Sequence, residues 1–449
     1  NSWHHRCVRS FVFSARNMWQ QLGLLVLLGL AAVDNFATAE RVRYDNYHVY
    51  ELQPQNAAQL AVVKELDGSS DTLLFLDAVH YLNKKINVLV APQRVADLLR
   101  VLQSADVPYQ LVEENAQKSL DVEEELVADP NRRSGDYTWR EYHELDDTYA
   151  WLRMLTEKYP EQVSLFVAGK SYEGREILGL KISYSSSRAE EAARATKPGI
   201  FIEGGMHARE WISPATTTYI INQLLTSTNA DVRKVAESYV WYVVPHSNPD
   251  GYVYTHTTNR LWRKTRTPYG NCFGADPNRN WDFHWNEVGS SNNPCSDTYA
   301  GPKAFSEVET RTLADYISTL KRQLFLYLSF HSYSQLLLFP YGHTGELPSN
   351  YKDLKRVFDV AISAVSNRYG TRYTGGNVYD AIYPAAGASL DWAYGKMGVP
   401  YSYCFELRPS GSGFWSGFRL PADQIIPTSE EIMDSMLAMI KEIGTSTKM

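Results

Sequence analysis

Between residues 162 and 407 the chain carries a series of nearly continuous apolar runs, and these limit the fold more than any other feature. They are Gln162–Ala168, Ile177–Ser183, Gly199–Glu203, Tyr239–Pro245, Leu324–His331 and Val399–Leu407. A strand with one wet face alternates apolar and polar residues, whereas a strand covered on both faces need not. Helical periodicity runs through Glu141–Tyr159, Ser213–Leu225, Glu307–Lys321, Leu354–Tyr369 and Glu430–Ile443. The pattern predicts an α/β fold, a three-layer α/β/α domain with a mixed sheet. In such sheets ligands collect beyond the strand ends, and His207, His246, His331 and Glu406 all fall there.

A smaller unit precedes it. Tyr47–Gln53, Thr72–Ala78, Ile86–Pro92 and Tyr109–Glu113 read as strands, with helices at Asn56–Leu66 and Gln93–Ala105. That βαββαβ order predicts a small ferredoxin-like open sandwich with its helices on one sheet face. Its histidines, His48 and His80, are isolated. An acidic, helix-like stretch around Asp121–Leu126 then leads to Asp129-Pro-Asn-Arg132-Arg133-Ser134-Gly135. Paired arginines in a polar, turn-forming segment are an accessible target for a trypsin-like protease.

Upstream, Leu22–Val33 is a short apolar core, and Ala37-Thr38-Ala39 forms a small-x-small cleavage site before Glu40. The core is shorter than the ~20 residues a spanning helix needs. Residues 18–39 therefore read as a signal peptide and 1–17 as upstream precursor sequence, giving a secreted, extracellular product. A net charge of −7 and the lack of any basic run interleaved with aromatics argue against nucleic-acid or anionic-membrane partners. Of four cysteines, Cys7 leaves with the leader. Cys272 and Cys295 bracket a loop rich in Asn, Ser and Pro, the sort of segment a disulfide staples in an oxidising compartment. Cys404, inside an apolar run, reads as a buried free thiol.

The run Gly199–Glu203 ends in two glycines and delivers His207 and Glu210, three residues apart. Such a pair supplies two of the three protein ligands of a catalytic zinc. The spacing alone decides little, because His48/Glu51, His284/Glu287 and His343/Glu346 share it. A third ligand must come from another strand end, with His331 the best placed and His246 its competitor.

The surrounding blocks resemble a known family. They are Gly204-Gly-Met-His207-Ala-Arg209-Glu210-Trp211-Ile212-Ser213-Pro214, Asn248-Pro-Asp-Gly-Tyr252, Asn259-Arg-Leu-Trp-Arg263-Lys-Thr-Arg266, and Asp276-Pro-Asn278-Arg279-Asn280-Trp281. His331-Ser332-Tyr333-Ser-Gln-Leu-Leu-Leu338, Ile382-Tyr383 and Phe405-Glu406-Leu407-Arg408 follow. In this order they resemble the zinc metallocarboxypeptidases of the pancreatic carboxypeptidase A/B type, in zymogen form.

The resemblance implies an activation propeptide over 40–133, a catalytic domain over 134–449, and one zinc ion per chain. It implies His207, Glu210 and His331 as zinc ligands; the His₂Glu set is the established one of carboxypeptidase A and is recognised here rather than discovered. Asp276 matches the acid that fixes the tautomer of the first histidine. Glu406 matches the general base and Arg266 the cation that stabilises oxyanion charge. Asn278, Arg279 and Tyr383 match the group that holds the substrate's terminal carboxylate, a task suited to a guanidinium fork. Arg209, Ser332 and Tyr333 match residues lining the next substrate position. Leu390, in Gly387-Ala388-Ser389-Leu390-Asp391, matches the floor of the primary pocket, where an aliphatic residue gives a basic side chain no partner. A one-residue slip would put Asp391 there and predict basic specificity.

The implied protein is a monomeric exopeptidase. It acts on apolar or aromatic C-termini of peptides and proteins, is activated by a trypsin-like protease near Arg133, and is open to protein inhibitors. The alternative is a non-catalytic peptide-binding homologue that kept the pocket.

Overall fold

The computed structural model describes residues 41–449 apart from 68, 70–71, 78, 80–81, 129–136, 185–196, 410–416 and 447–449. The expected signal peptide (18–39) and upstream segment (1–17), Cys7, His80 and the Arg132–Arg133 pair lie outside the described residues.

Among the described residues from Val42 onward there are two main sheets of very different size and a two-stranded ribbon, Pro268–Tyr269 with Cys272–Phe273. In the first, β1 (His48–Leu52), β2 (Leu73–Phe75), β3 (Ile86–Val90) and β4 (Tyr109–Glu113) make an antiparallel sheet in the order β2-β3-β1-β4. Helices α1 (Ala57–Leu66) and α2 (Val95–Ser104) pack against it, their Val63, Leu98 and Leu102 buried with Tyr50, Leu52, Ile86 and Val88. Asn56 caps α1, its side chain accepting from Gln59 N–H. The βαββαβ order is the one the pattern predicts. The second strand is shorter than read, three residues instead of seven, and the acidic stretch lies within the helix expected there, α3 (Ala116–Ala128).

The larger sheet has eight strands. They are β5 (Val163–Lys170), β6 (Glu176–Ile182), β7 (Gly199–Glu203), β8 (Val240–Val244), β9 (Leu324–Ser332), β10 (Leu336–Phe339), β11 (Thr374–Asn377) and β12 (Tyr401–Leu407). Their order is β11-β10-β12-β9-β7-β8-β6-β5. The centre β12-β9-β7-β8 is parallel, while β6 runs antiparallel to β8 and to β5, and β10 antiparallel to β12, so the sheet is mixed.

Alternate residues of the central strands enter opposite layers. Ile200, Ile202, Leu326, Leu328, Tyr403 and Phe405 join one core with Leu152 of α4 (Leu145–Lys158), Ile220 and Leu224 of α5 (Ile212–Thr226), Val357 of α9 (Tyr351–Tyr369) and Met436 of α10 (Ile425–Ser446). Phe201, Tyr242, Val244 and Tyr327 join the other with Leu313 and Ile317 of α8 (Val308–Thr319), Trp281 and Trp392. Every residue of β7 and β8 is buried, which is why those runs needed no polar alternation. Two further helices, α6 (Ala230–Ser238) and α7 (Pro249–Thr257), were not expected from the sequence.

Cys272 and Cys295 form the expected disulfide, with Cα atoms 5.2 Å apart, and Cys404 is a buried free thiol. Among the described residues no helix is long and apolar enough to cross a membrane.

Candidate metal centre and substrate cleft

The turn after β7 is built for close approach. Gly205 sits at φ +66°, and a Cβ there would meet the Pro245 carbonyl oxygen at 2.8 Å. Its N–H donates to Ser213 Oγ (2.9 Å), and that hydroxyl donates to the carbonyl of Phe330 at the end of β9 (2.5 Å). One serine thus ties the ligand turn to the strand that delivers His331.

The three predicted ligands converge. His207 Nδ1 lies 2.8 Å from Glu210 Oε1 and 3.0 Å from His331 Nδ1, and His331 Nδ1 lies 3.2 Å from Glu210 Oε2. All three residues are buried. Among the described residues this is the one cluster of His, Cys, Asp or Glu whose donor atoms converge in this way. Two imidazole nitrogens and a carboxylate at this spacing suit a tetrahedral cation with one position left open. On the far side of His207, Nε2 donates to Asp276 Oδ1 (3.1 Å), which leaves the Nδ1 lone pair facing the cluster. Ser332 N–H donates to Glu210 Oε2 at 3.1 Å and steers the carboxylate. The donor set and its tautomer lock fit zinc.

The electrostatics follow from burial with charge. Burial opposes ionisation of Glu210, but His207 and His331 outweigh it and hold the carboxyl far below the usual range. Burial likewise opposes charge on His331, yet the Glu210 hydrogen bond and charge raise it to about 9. For Asp276 burial is overcome by Arg263, His207 and Arg279, which keep it well below the ordinary carboxylate range. Glu406 stands in register with His331 on the neighbouring parallel strand. Burial, opposed by His331 and assisted by Glu210, pushes Glu406 up to about 8. A divalent cation on the triad would act in the opposite direction.

One competing candidate falls away here and one sequence reading changes. His246 is not a ligand: its ring packs on Tyr252 (4.3 Å) and Tyr149 (6.3 Å), and burial lowers its pKa to about 3. Arg266 is not at the cleft. Its guanidinium is caged by Tyr254, Trp262 and Phe273, with Cζ 3.5, 4.4 and 4.8 Å from the ring centroids, and burial lowers its pKa. The arginine beside the metal ligands is Arg263, whose Nη2 lies 2.9 Å from Asp276 Oδ2 and whose Nη1 lies 3.7 Å from Glu210 Oε1. The Arg263 carbonyl also accepts from Ala208 N–H at 3.1 Å, within the ligand turn. The segment offers arginines at 260, 263 and 266, and nothing in their local sequence ranks them.

Arg279, Asn278 and Tyr383, the residues expected to hold a terminal carboxylate, lie near the pocket-floor segment. Arg279 is buried; its Nε donates to Gly289 O (2.9 Å) and its Cζ lies 5.5 Å from the Tyr383 ring centroid. Asn278 accepts from Ser389 N–H at 3.0 Å. Leu390 is buried with Leu338, Val378, Ala385 and Cys404, against Ile382 and Tyr383. Asp391 turns away from this pocket, accepting from the N–H groups of Gly342 (2.9 Å) and His343 (3.1 Å) and pairing with His343 Nδ1 (2.9 Å). Arg209 pairs with Asp297 at 2.9 Å and stacks on Phe418 at 4.4 Å. Of the other His-x-x-Glu pairs, His284 and Glu287 form a surface ion pair, and His48 lies on β1 of the small sheet.

The small sheet reaches this cleft. Tyr333 donates to Asp77 Oδ1 at 2.8 Å, and Asp77 Oδ2 is held by the backbone and side-chain amides of Asn87, both at 2.8 Å. Leu76, Val49 and Leu89 pack with Leu261, Phe418 and Tyr333, and Tyr44 donates to Asn259 Oδ1 at 2.9 Å. No sequence signal marks Asp77, an ordinary acid two residues beyond a short strand.

A mixed eight-stranded α/β sheet with a His-Glu-His centre at its strand ends defines a metallopeptidase of the carboxypeptidase type. The zinc carboxypeptidase family model matches residues 148–435, and the carboxypeptidase activation peptide model matches residues 50–123. The chain belongs to the zinc carboxypeptidase family and carries its activation peptide. It is 57% identical over 420 residues to zinc carboxypeptidase A 1 of Drosophila melanogaster, covering 94% of this chain and 96% of the relative. Over 301 residues it is 48% identical to a carboxypeptidase B of Astacus astacus, covering 66% of this chain and 95% of the relative. The solved carboxypeptidase A from Helicoverpa armigera superposes with a TM-score of 0.82 at 29% identity, covering 90% of this chain and 99% of that one. The chain is a zinc-dependent carboxypeptidase with a zymogen-type propeptide.

Proposed function

We propose that the protein is a secreted procarboxypeptidase that removes apolar and aromatic C-terminal residues after trypsin-like cleavage near Arg133. The leader would be 18–39, with 1–17 upstream, the propeptide 40–133 and the catalytic domain 134–449, acting as a monomer. The observation that carries the specificity is Leu390 in an aliphatic pocket while Asp391 is spent on the Gly342–His343 backbone. Relatives are named both carboxypeptidase A and carboxypeptidase B, so the pocket floor is the better guide. A buried Lys or Arg side chain would find no counter-charge at Leu390.

His207, Glu210 and His331 would hold the zinc, with Asp276 fixing the first of them. Zinc, when bound, supplies a Lewis acid that acidifies water and polarises a carbonyl. Glu406 accepts the proton and returns it to the leaving amine. Arg263, in place of Arg266, faces developing oxyanion charge. Arg279, Asn278 and Tyr383 bind the free carboxylate, which confines cleavage to the chain end. Arg209, Ser332 and Tyr333 line the preceding residue's site, where the propeptide now sits. Once cleared, the same cleft suits a protein inhibitor; a bovine relative has been solved with a tick carboxypeptidase inhibitor.

The test is release of the last residue from matched peptides ending in Phe or Arg, after trypsin, with untreated and chelated controls. Phe release that needs trypsin and zinc is expected. Preferred Arg release would overturn the pocket assignment, and no release from the zinc-loaded protein would favour a binding protein.

A further inference from the structure

Glu203, the last residue of β7, is fully buried, and every hydrogen bond it makes among the described residues comes from a neutral hydroxyl. Oε1 accepts from Ser329 Oγ (2.6 Å), Tyr327 OH (3.0 Å) and Ser389 Oγ (3.3 Å), and Oε2 accepts from Ser247 Oγ (3.1 Å). A carboxylate can take all four because it only accepts, and such a site strands polar atoms if one partner is lost.

We propose that Glu203 is a positioning residue for substrate binding, acting through Ser389 on both the carboxylate anchor and the pocket floor. Ser389 is the junction. Its hydroxyl is held by Glu203, its N–H donates to Asn278 Oδ1 (3.0 Å), and the next residue is Leu390. Ser329 adds a second link, since it stands in register with Cys404, which packs against Leu390. Fixing Ser389 therefore fixes the face Asn278 presents to a terminal carboxylate and the depth at which Leu390 closes the pocket. Ser247, just beyond β8, shares its single hydroxyl proton between the same carboxylate (3.1 Å) and the Gly204 carbonyl (3.0 Å), and has no link to Asn278 or Leu390 among the described residues. The inference rests on the reading of Asn278 and Leu390 given above.

The experiment compares Ser389→Ala, Ser247→Ala, Asn278→Ala and Glu203→Gln in the trypsin-activated, zinc-loaded protein, using a peptide ending in Phe. Loss of one neutral hydrogen bond in the relay should raise KM for Ser389→Ala about two- to tenfold, leave kcat within about twofold, and leave Ser247→Ala like the parent. Glu203→Gln should raise KM at least as much as Ser389→Ala; if it does not fold, the two serine variants decide. An unchanged KM in Ser389→Ala beside a raised KM in Asn278→Ala overturns the relay and keeps the anchor. Equal effects from Ser389→Ala and Ser247→Ala also overturn it, because Glu203 would then merely brace the strand ends. An unchanged KM in Asn278→Ala removes the anchor reading itself.

Discussion

The metal centre and the seat of the activation peptide meet at two adjacent residues, yet different forces hold them. Ser332 steers Glu210 inside a closed network of buried polar and charged groups, in which His207 meets Glu210 and Asp276, His331 meets Glu210, and Arg263 pairs with Asp276. Tyr333 holds Asp77 through a single hydrogen bond, flanked by an apolar patch and the Tyr44–Asn259 contact. Removing one member of the first set strands a buried charge, which is severe. The second set can part as a unit, each side returning to water. Permanent and removable parts of one cleft are thus built from different interactions.

The largest break should come from the charged set. Glu210→Gln should abolish stoichiometric zinc, measured by metal analysis, and with it essentially all peptidase activity. Glu406→Gln should keep the zinc and lower kcat by about 10²–10⁴, the range of a positioned acid–base group. The two arginines then sharpen the assignment. Arg263→Ala should lower kcat/KM by about 10²–10³, as for loss of an oxyanion partner. Arg266→Ala should stay within about tenfold and instead lower thermal stability, because it empties an aromatic cage.

Glu309 offers a third case, a buried carboxylate with neither cation nor removable partner among the described residues. It accepts from Tyr172 N–H at 2.9 Å, and burial raises its pKa to about 7. The folded state therefore binds this proton more tightly than the unfolded chain. Stability is unaffected below the unfolded value of 4.5, falls as pH rises from there to about 7, and stays lowered above it. That interval corresponds to about 3 kcal/mol. Urea unfolding of Glu309→Gln against the parent should show the variant gaining by up to that amount between pH 4.5 and 8. A pH-independent difference would contradict the buried, unpaired state. The smallest effect belongs to the seat: Asp77→Ala should raise the residual activity of the uncleaved chain toward peptides by about two- to tenfold, the size of one hydrogen bond. A rise as large as full activation would mean that Asp77 alone maintains latency.

Much of this was legible in the chain. Six of the eight large-sheet strands announced themselves by apolar runs; burial on both faces accounts for the central ones, whereas the edge strand β5 leaves Ser164, Val167 and Lys170 exposed. The other two did not: β10 is four residues long, and β11 is Thr-Gly-Gly-Asn, which has no strand preference of its own. Gly375 is there because a Cβ would meet the Leu337 carbonyl oxygen at 1.9 Å, a requirement set by the neighbouring strand. Motif spacing and strand ends marked His207, Glu210 and His331, and the polar loop marked the disulfide.

The sequence by itself determined the strand-end rim and the ligand types, since period and composition act locally, whereas Leu390 was legible as a pocket floor only through the family resemblance. Only the tertiary structure placed Arg263 and not Arg266 beside the triad, turned Asp391 into its backbone nest and brought Asp77 to Tyr333. Each of those choices depends on which way a loop side chain points once distant segments have closed around it. No local pattern encodes that direction.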